Sequence, residues 1–139
     1  MSAPYIAIEA VQRAFYTRMT NSEELMSLVT DVYDKVPEGD DLYPYVVVGE
    51  ATETPDNAHG RIGRQTSTML HIWSQYDGFG EALSILAVIA ELFDHKPLDV
   101  EGLHHVSTDY EFAQTLTDPE PPGNIRHVPV RFRTRTEQP

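Results

Sequence analysis

RQTSTMLHIWSQYDGFGEALSILAVIAELFD, residues 64–94, joins a strand pattern directly to a helix pattern. From Arg64 to Tyr76 the side chains alternate. Leu70 and Ile72 share one face, and Met69, His71 and Trp73 share the other, as successive residues of a strand do. Asp77-Gly78 breaks the strand. From Phe79 to Asp94 the period becomes helical. Leu83, Ile85, Leu86, Val88, Ile89, Leu92 and Phe93 cover most of the circumference, and only Glu81, Ser84 and Glu91 are clearly polar. A helix this apolar is buried on more than one side. It lies either under a sheet of its own chain or partly against a neighbouring subunit. His95-Lys96-Pro97 ends it, with cations near the negative end of the helix dipole.

Upstream, Pro4 suits a first helical turn with Ser2 as a possible cap, and Ile8, Val11 and Phe15 recur at helical spacing. These predict a helix over residues 4–18. Ser22 caps a second, short helix whose start carries Glu23 and Glu24 and whose stripe is Leu25, Leu28 and Val29. Val32 to Val36 reads as a short strand ended by Pro37, and PEGDDLYP, residues 37–44, is turn chemistry. Tyr45-Val46-Val47-Val48 is a β-branched run covered on both faces. Residues 53–63, ETPDNAHGRIG, form a long polar connection to Arg64. Two strands so joined predict an extended hairpin with a mobile, functional tip.

Downstream, Leu98 to Leu103 is a short strand or turn around Gly102. Val106, Thr108, Tyr110 and Phe112 then alternate with His105, Ser107, Asp109 and Glu111, which predicts the first set inward and the second outward. TDPEPPGN, residues 117–124, is rigid and irregular. In the last strand, residues 125–136, Val128, Val130 and Phe132 point one way, and His127, Arg131, Arg133 and Arg135 the other. The order α-α-β-β-β-α-β-β does not alternate regularly. It predicts one α+β domain over residues 1–139, a mostly antiparallel sheet with helices packed on one face and a long protruding hairpin.

The chain has 139 residues, enough for a core without disulfides, and it has no cysteine. Thiolate nucleophiles and cysteine-ligated zinc are excluded, and an intracellular folding compartment fits. The first residues lack the continuous apolar stretch of a signal peptide, and no window of about 18 uncharged apolar residues is present to span a membrane. The formal charge is −12, from 22 acidic and 10 basic side chains. A surface of that composition repels DNA phosphate, so sequence-specific DNA reading is not expected. The acidity serves solubility, or lets DNA pass without sticking.

Chemistry-bearing motifs are missing. There is no HExxH, HxH or HxxxH spacing, no Gly-x-Ser-x-Gly, and no phosphate loop at the glycines at 60, 63, 78 and 80. His104 and His105, adjacent on a strand, face opposite ways. His71 and His127 are far apart in sequence. We therefore expect no catalytic residue, no metal and no cofactor. The more unusual feature is Arg131, Arg133 and Arg135 on one strand face of an acidic chain. They either protect an edge strand from aggregation or pair with an acidic surface of the next subunit. Arg61 and Arg64, both within HGRIGR at residues 59–64, add two loop arginines.

The ordered set of pieces resembles the tail-terminator or tail-completion (head-tail joining) family of long-tailed phages, prophages and gene-transfer particles. The pieces are two N-terminal helices, Val32-Tyr33-Asp34-Lys35-Val36-Pro37, Tyr43-Pro44-Tyr45-Val46-Val47-Val48-Gly49, Leu70-His71-Ile72-Trp73-Ser74 leading through Asp77-Gly78 into Glu81-Ala82, and Arg126-His127-Val128-Pro129-Val130-Arg131-Phe132-Arg133. The proline-rich 117–124 stretch and Pro129 depart from it. Pro129 cannot donate a ladder hydrogen bond, so an unpaired position or a bulge is expected there. The resemblance implies a non-enzymatic virion protein, assembled in the host cytoplasm. It implies a homohexameric ring at the head-proximal end of the tail tube, contacting the tail tube protein and the head-tail connector, with DNA passing through the lumen. On that reading the tip from Glu53 to Gly63 reaches a neighbouring ring or the lumen, and Arg61, Arg64, Arg131, Arg133 and Arg135 lie at subunit or ring interfaces. The alternatives are a head-side adaptor or stopper ring, and a small-molecule-binding α+β module with Tyr43, His71 and Trp73 around a pocket.

Overall fold

The computed structural model describes residues 3–37, 42–118 and 124–139. Parts of the expected 37–44 turn and 117–124 connection, and Ser2, lie outside them. In chain order the elements are α1 (Ile8–Thr20), α2 (Glu23–Met26), β1 (Asp31–Tyr33), β2 (Tyr45–Pro55), β3 (Gly63–Ser74), α3 (Gly80–Phe93), β4 (His104–Ala113), β5 (Leu116–Thr117) and β6 (Arg126–Glu137). The strands form one sheet in the order β1-β2-β3-β6-β4, with β5 also pairing β6. Among the described residues only the β1-β2 pair is parallel; the other pairs are antiparallel. The fold is α+β with a mostly antiparallel sheet, as the element order predicts. No helix among the described residues is long and apolar enough to cross a membrane.

Register explains the core. Val46, Ile72 and Val128 are cross-strand partners, as are Val48, Leu70 and Val130, so one sheet face presents a continuous apolar surface. Val11, Phe15 and Met19 of α1 and Ala82, Ile85, Ile89 and Phe93 of α3 are buried in the same cluster. At its centre Phe15 stacks on Phe93 with ring centroids 4.3 Å apart, and Phe132 meets them at 5.7 and 5.5 Å. The apolar circumference of α3 is thus mostly spent inside the chain, although Leu83 remains exposed.

Several boundaries move for physical reasons. Helix α1 starts at Ile8 rather than residue 4, because Ala7 N–H is taken by Glu53 Oε1 at 2.8 Å and Pro4 O by Gln138 Nε2 at 2.6 Å. Ser22 caps α2 as expected, its Oγ accepting from Leu25 N–H at 3.1 Å. Strand β1 ends at Tyr33, short of Pro37. Strand β2 runs past Val48 through a bulge before Ala51 and pairs with β3 as far as Pro55. The connecting tip is therefore shorter than residues 53–63. It is also tethered rather than free, because Arg135 Nε holds Asp56 at 2.8 Å and Arg61 holds Glu137 at 2.9 Å. Residues 98–103 form a turn, with Leu98 and Val100 buried and Gly102 at φ +79° against Pro4.

Two strand expectations are corrected. Strand β6 is interior, flanked by β3 on one side and by β4 and β5 on the other, so Arg131, Arg133 and Arg135 do not guard an edge. The edge strand on this side of the sheet is β4, and its alternation fails. Thr108 is buried, but Val106, Tyr110 and Phe112 are 45, 41 and 38% exposed. Two bulges, between His105 and Ser107 and between Tyr110 and Phe112, reset the period that the sequence pattern assumes. Pro129 keeps its register with His71 of β3, without a bulge, and the irregularity falls on its other side. Gln114 N–H bonds to its carbonyl, and the ladder is interrupted between Ala113↔Val130 and Leu116↔His127.

Candidate interaction surfaces

The sheet has a helix-covered face and an outer face, and the charged residues singled out in the sequence divide between them. Arg64 belongs to the covered face. Its side chain and that of Glu53 are 10% and 8% exposed, with Arg64 Nε 3.8 Å from Glu53 Oε2. Arg64 Nη1 also donates to Gly63 O at 2.8 Å, and its guanidinium lies 4.7 Å from the Tyr5 ring centre. Glu53 Oε1 meanwhile takes the Ala7 N–H and the Thr66 hydroxyl. The pair ties the start of α1 to the hairpin, so Arg64 is internal to the subunit and not available to a neighbour.

The other arginines are on the outer face. Across the β4-β6 ladder Arg131 Nε is 3.4 Å from Glu111, and Arg133 is 3.5 Å from both Asp109 and Glu111. Arg61 and Arg135 bind across the tip. Hydrogen bonding to Asp56 pushes the Arg135 pKa further up. Arg61, Arg131 and Arg135 are exposed, so each keeps part of its five-donor fork for a further acceptor. Ion pairs this wet add little to folding.

Beside this ladder runs the edge of β4, which the end of α3 partly covers: His95 N–H donates to Thr108 O at 2.8 Å and Asp94 Oδ1 accepts from Tyr110 N–H at 2.9 Å. An edge strand presents unpaired backbone N–H and C=O groups, and natural edges are commonly blunted by lysine or proline. Strand β4, HHVSTDYEFA, contains neither; it carries two bulges and the acids Asp109 and Glu111, and it exposes Val106, Tyr110 and Phe112. Leu116 of β5 extends the apolar rim. This surface was not read from the sequence, where the same residues looked like a core face.

A third cluster lies at the other end of the outer face. His71 Nδ1 is 2.7 Å from His127 Nε2, and His71 Nε2 is 2.7 Å from Glu50 Oε1. Trp73 stacks on His127 at 3.9 Å with planes 4° apart. The two histidines, remote in sequence, meet because β3 and β6 are neighbours in a register pairing Trp73 with His127. Burial and then nearby His71 lower the His127 pKa. For Glu50, burial works upward, but the His71 hydrogen bond and charge bring the carboxyl below its ordinary value. Tyr43 does not join these groups around a pocket; it packs on Tyr45, which stands between it and Trp73. Burial, with Tyr43 adding to it, pushes the Tyr45 pKa up to about 12. Separately, Asp94, His95 and Asp109 bring ligand atoms within 4.8 Å of one another at the end of α3. Asp94 already accepts from Tyr110 N–H, and Asp109 faces Arg133.

The covered face is filled by core, and the outer face and the β4 edge offer apolar rims and ion pairs, the materials of protein–protein contact. Comparison with known proteins gives the family. Residues 13–137 match the family described as Tail completion protein gp17. A relative of that name from Bacillus phage SPP1 is 32% identical over 129 residues, covering 91% of this chain and 93% of its own. The chain belongs to the tail completion protein gp17 family. A chain from a solved structure titled "Virion of native gene transfer agent (GTA) particle" has the same fold, with a TM-score of 0.87 at 23% identity, covering 96% of this chain and 99% of that one.

Proposed function

We infer that the protein is a structural subunit of a virion tail. Copies of it form a ring, a hexamer, at the head-proximal end of a phage-type tail tube. The ring ends tube polymerisation and joins the tail to the head connector, while DNA passes through its lumen without sequence-specific contact. The observation that carries this reading is the near full-length relationship to a tail completion protein.

The physical mechanism is partial complementarity. A ring face that reproduces a tube subunit's contacts docks on the tube, and a second face that does not reproduce them stops further addition. The exposed β4 side chains Val106, Tyr110 and Phe112, and the outer arginines Arg61, Arg131, Arg133 and Arg135, are the surfaces assigned to neighbouring subunits or rings. At such a contact the arginines exchange or share their present acidic partners, which favours correct register over tight binding.

Two experiments test this. The mass of the purified protein, alone and mixed with tail tube protein, is expected to show a multimer near six times the 15.7 kDa chain. A chain that stays monomeric in both states contradicts the ring. Deleting its gene is expected to give tails of uncontrolled length. Tails of normal length beside leaky heads would instead place the protein on the head side.

A further inference from the structure

Glu50, His71, His127 and Trp73 form a built arrangement that the proposed ring does not use. The lone pairs of two imidazole nitrogens 2.7 Å apart repel, so something electropositive must lie between His71 Nδ1 and His127 Nε2. In the protein alone that is a proton. An ionised Glu50 can only accept, so in the neutral ring His71 carries its hydrogen on Nε2, which leaves Nδ1 as a lone pair aimed at His127. His127 then donates from Nε2. The same arrangement suits a metal. Metal-bound imidazoles commonly donate their other ring N–H to a carboxylate, which fixes tautomer and orientation. Here Glu50 already does this to His71.

The surroundings hold both rings in place. Trp73 clamps His127 from one side. Gly49, at the β2 bulge, makes room for His71, since a Cβ there would lie 2.6 Å from His71 Cδ2. We propose that His71 Nδ1 and His127 Nε2 are the two protein ligands of a transition-metal dication of the zinc, nickel or copper class, with Glu50 as the outer carboxylate that orients His71. Imidazole suits these metals, and water completes the coordination. Metal–nitrogen bonds of about 2.0–2.1 Å in tetrahedral geometry put the two nitrogens roughly 3.3 Å apart, so the rings open by roughly half an ångström from their hydrogen-bonded distance. His127 moves its proton from Nε2 to Nδ1 and stays neutral.

Trp73 is the chain's single tryptophan, so it reports on this site alone. Titrating the purified protein with Ni²⁺ near pH 7.5 is expected to quench Trp73 fluorescence saturably, with one ion per chain. His71→Ala, which leaves the Trp73–His127 stack in place, abolishes the saturable phase. Glu50→Gln weakens binding roughly ten- to a hundredfold, as loss of an outer carboxylate does. His95→Ala, which removes the Asp94–His95–Asp109 group, leaves the titration unchanged. Quenching that rises linearly without saturation, or that survives His71→Ala, overturns the proposal. So does loss of the saturable phase in His95→Ala. A readout on the unmutated protein guards against misfolded variants. With Zn²⁺ the imidazole ¹⁵N resonances of His127 should switch from the Nε2–H to the Nδ1–H tautomer, and absence of that switch at saturating Zn²⁺ also overturns it.

Discussion

Glu53→Ala is expected to destabilise the protein by about 3 kcal/mol, within the range of roughly 3–5 kcal/mol for breaking a buried pair by removing one partner. The structure gives the reasons. Glu53 and Arg64 have side chains only 8 and 10% exposed, and Glu53 also satisfies the Ala7 N–H at the head of α1. Removing it leaves a buried guanidinium and an unpaired backbone donor. The low end of the range applies because Arg64 keeps its bond to Gly63 O and its place over Tyr5. For a chain of this size the loss corresponds to roughly 10 °C in Tm. Urea unfolding followed by circular dichroism measures it as a lower midpoint at constant slope. Replacing both residues, with Glu53→Gln and Arg64→Met, is expected to recover at least half of the loss, because an unpaired charge is no longer buried. A Glu53→Ala loss under about 1 kcal/mol, the worth of an exposed pair, would refute an internal Arg64.

Three further outcomes follow from the fold. Phe132→Ala removes the ring shared by Phe15, Phe93 and Tyr110 and should cost about 3–5 kcal/mol by denaturant titration. Gly102→Ala should lower Tm, since φ is +79° and the new Cβ would lie 2.7 Å from Pro4 Cδ; Gly78→Ala is also strained by its φ of +101° but meets no atom within 4 Å, and should cost less. Stability should fall as pH drops below the ordinary imidazole value of 6.5. His127 and His105 have lowered pKa values in the folded protein, both chiefly through burial, so the unfolded chain takes up protons first. The decline continues into the carboxylate range through Glu50, whose stabilising ionised form is lost there. His105→Asn and His127→Asn together should flatten the first part of the curve in pH-dependent urea midpoints.

Elements with strong local periods were legible in the chain. The apolar helix α3, the Ser22 cap, the Leu70/Ile72 face and the Val128/Val130/Phe132 face all appear where their spacing puts them. What escaped was decided by neighbours. A period-2 pattern in 106–112 cannot show that β4 is an edge or that two bulges turn Val106 and Phe112 outward. Arginines spaced by two in 131–135 look the same on an edge strand and on an interior strand salted by Asp109 and Glu111. The His71–His127 contact depends on strand order and register alone. The outward placement of both residues was readable, but not that β3 and β6 lie side by side. Likewise the polarity of 53–63 suggested a loop, while pairing with β3 and the burial of Glu53 made its first part strand.

A label fused to this chain and imaged on whole particles tests the ring assignment most directly. The account predicts label confined to the junction between head and tail, in a single ring of copies around the tube axis. Label spread along the tube, gathered at the far tip of the tail, or missing from finished particles would contradict it.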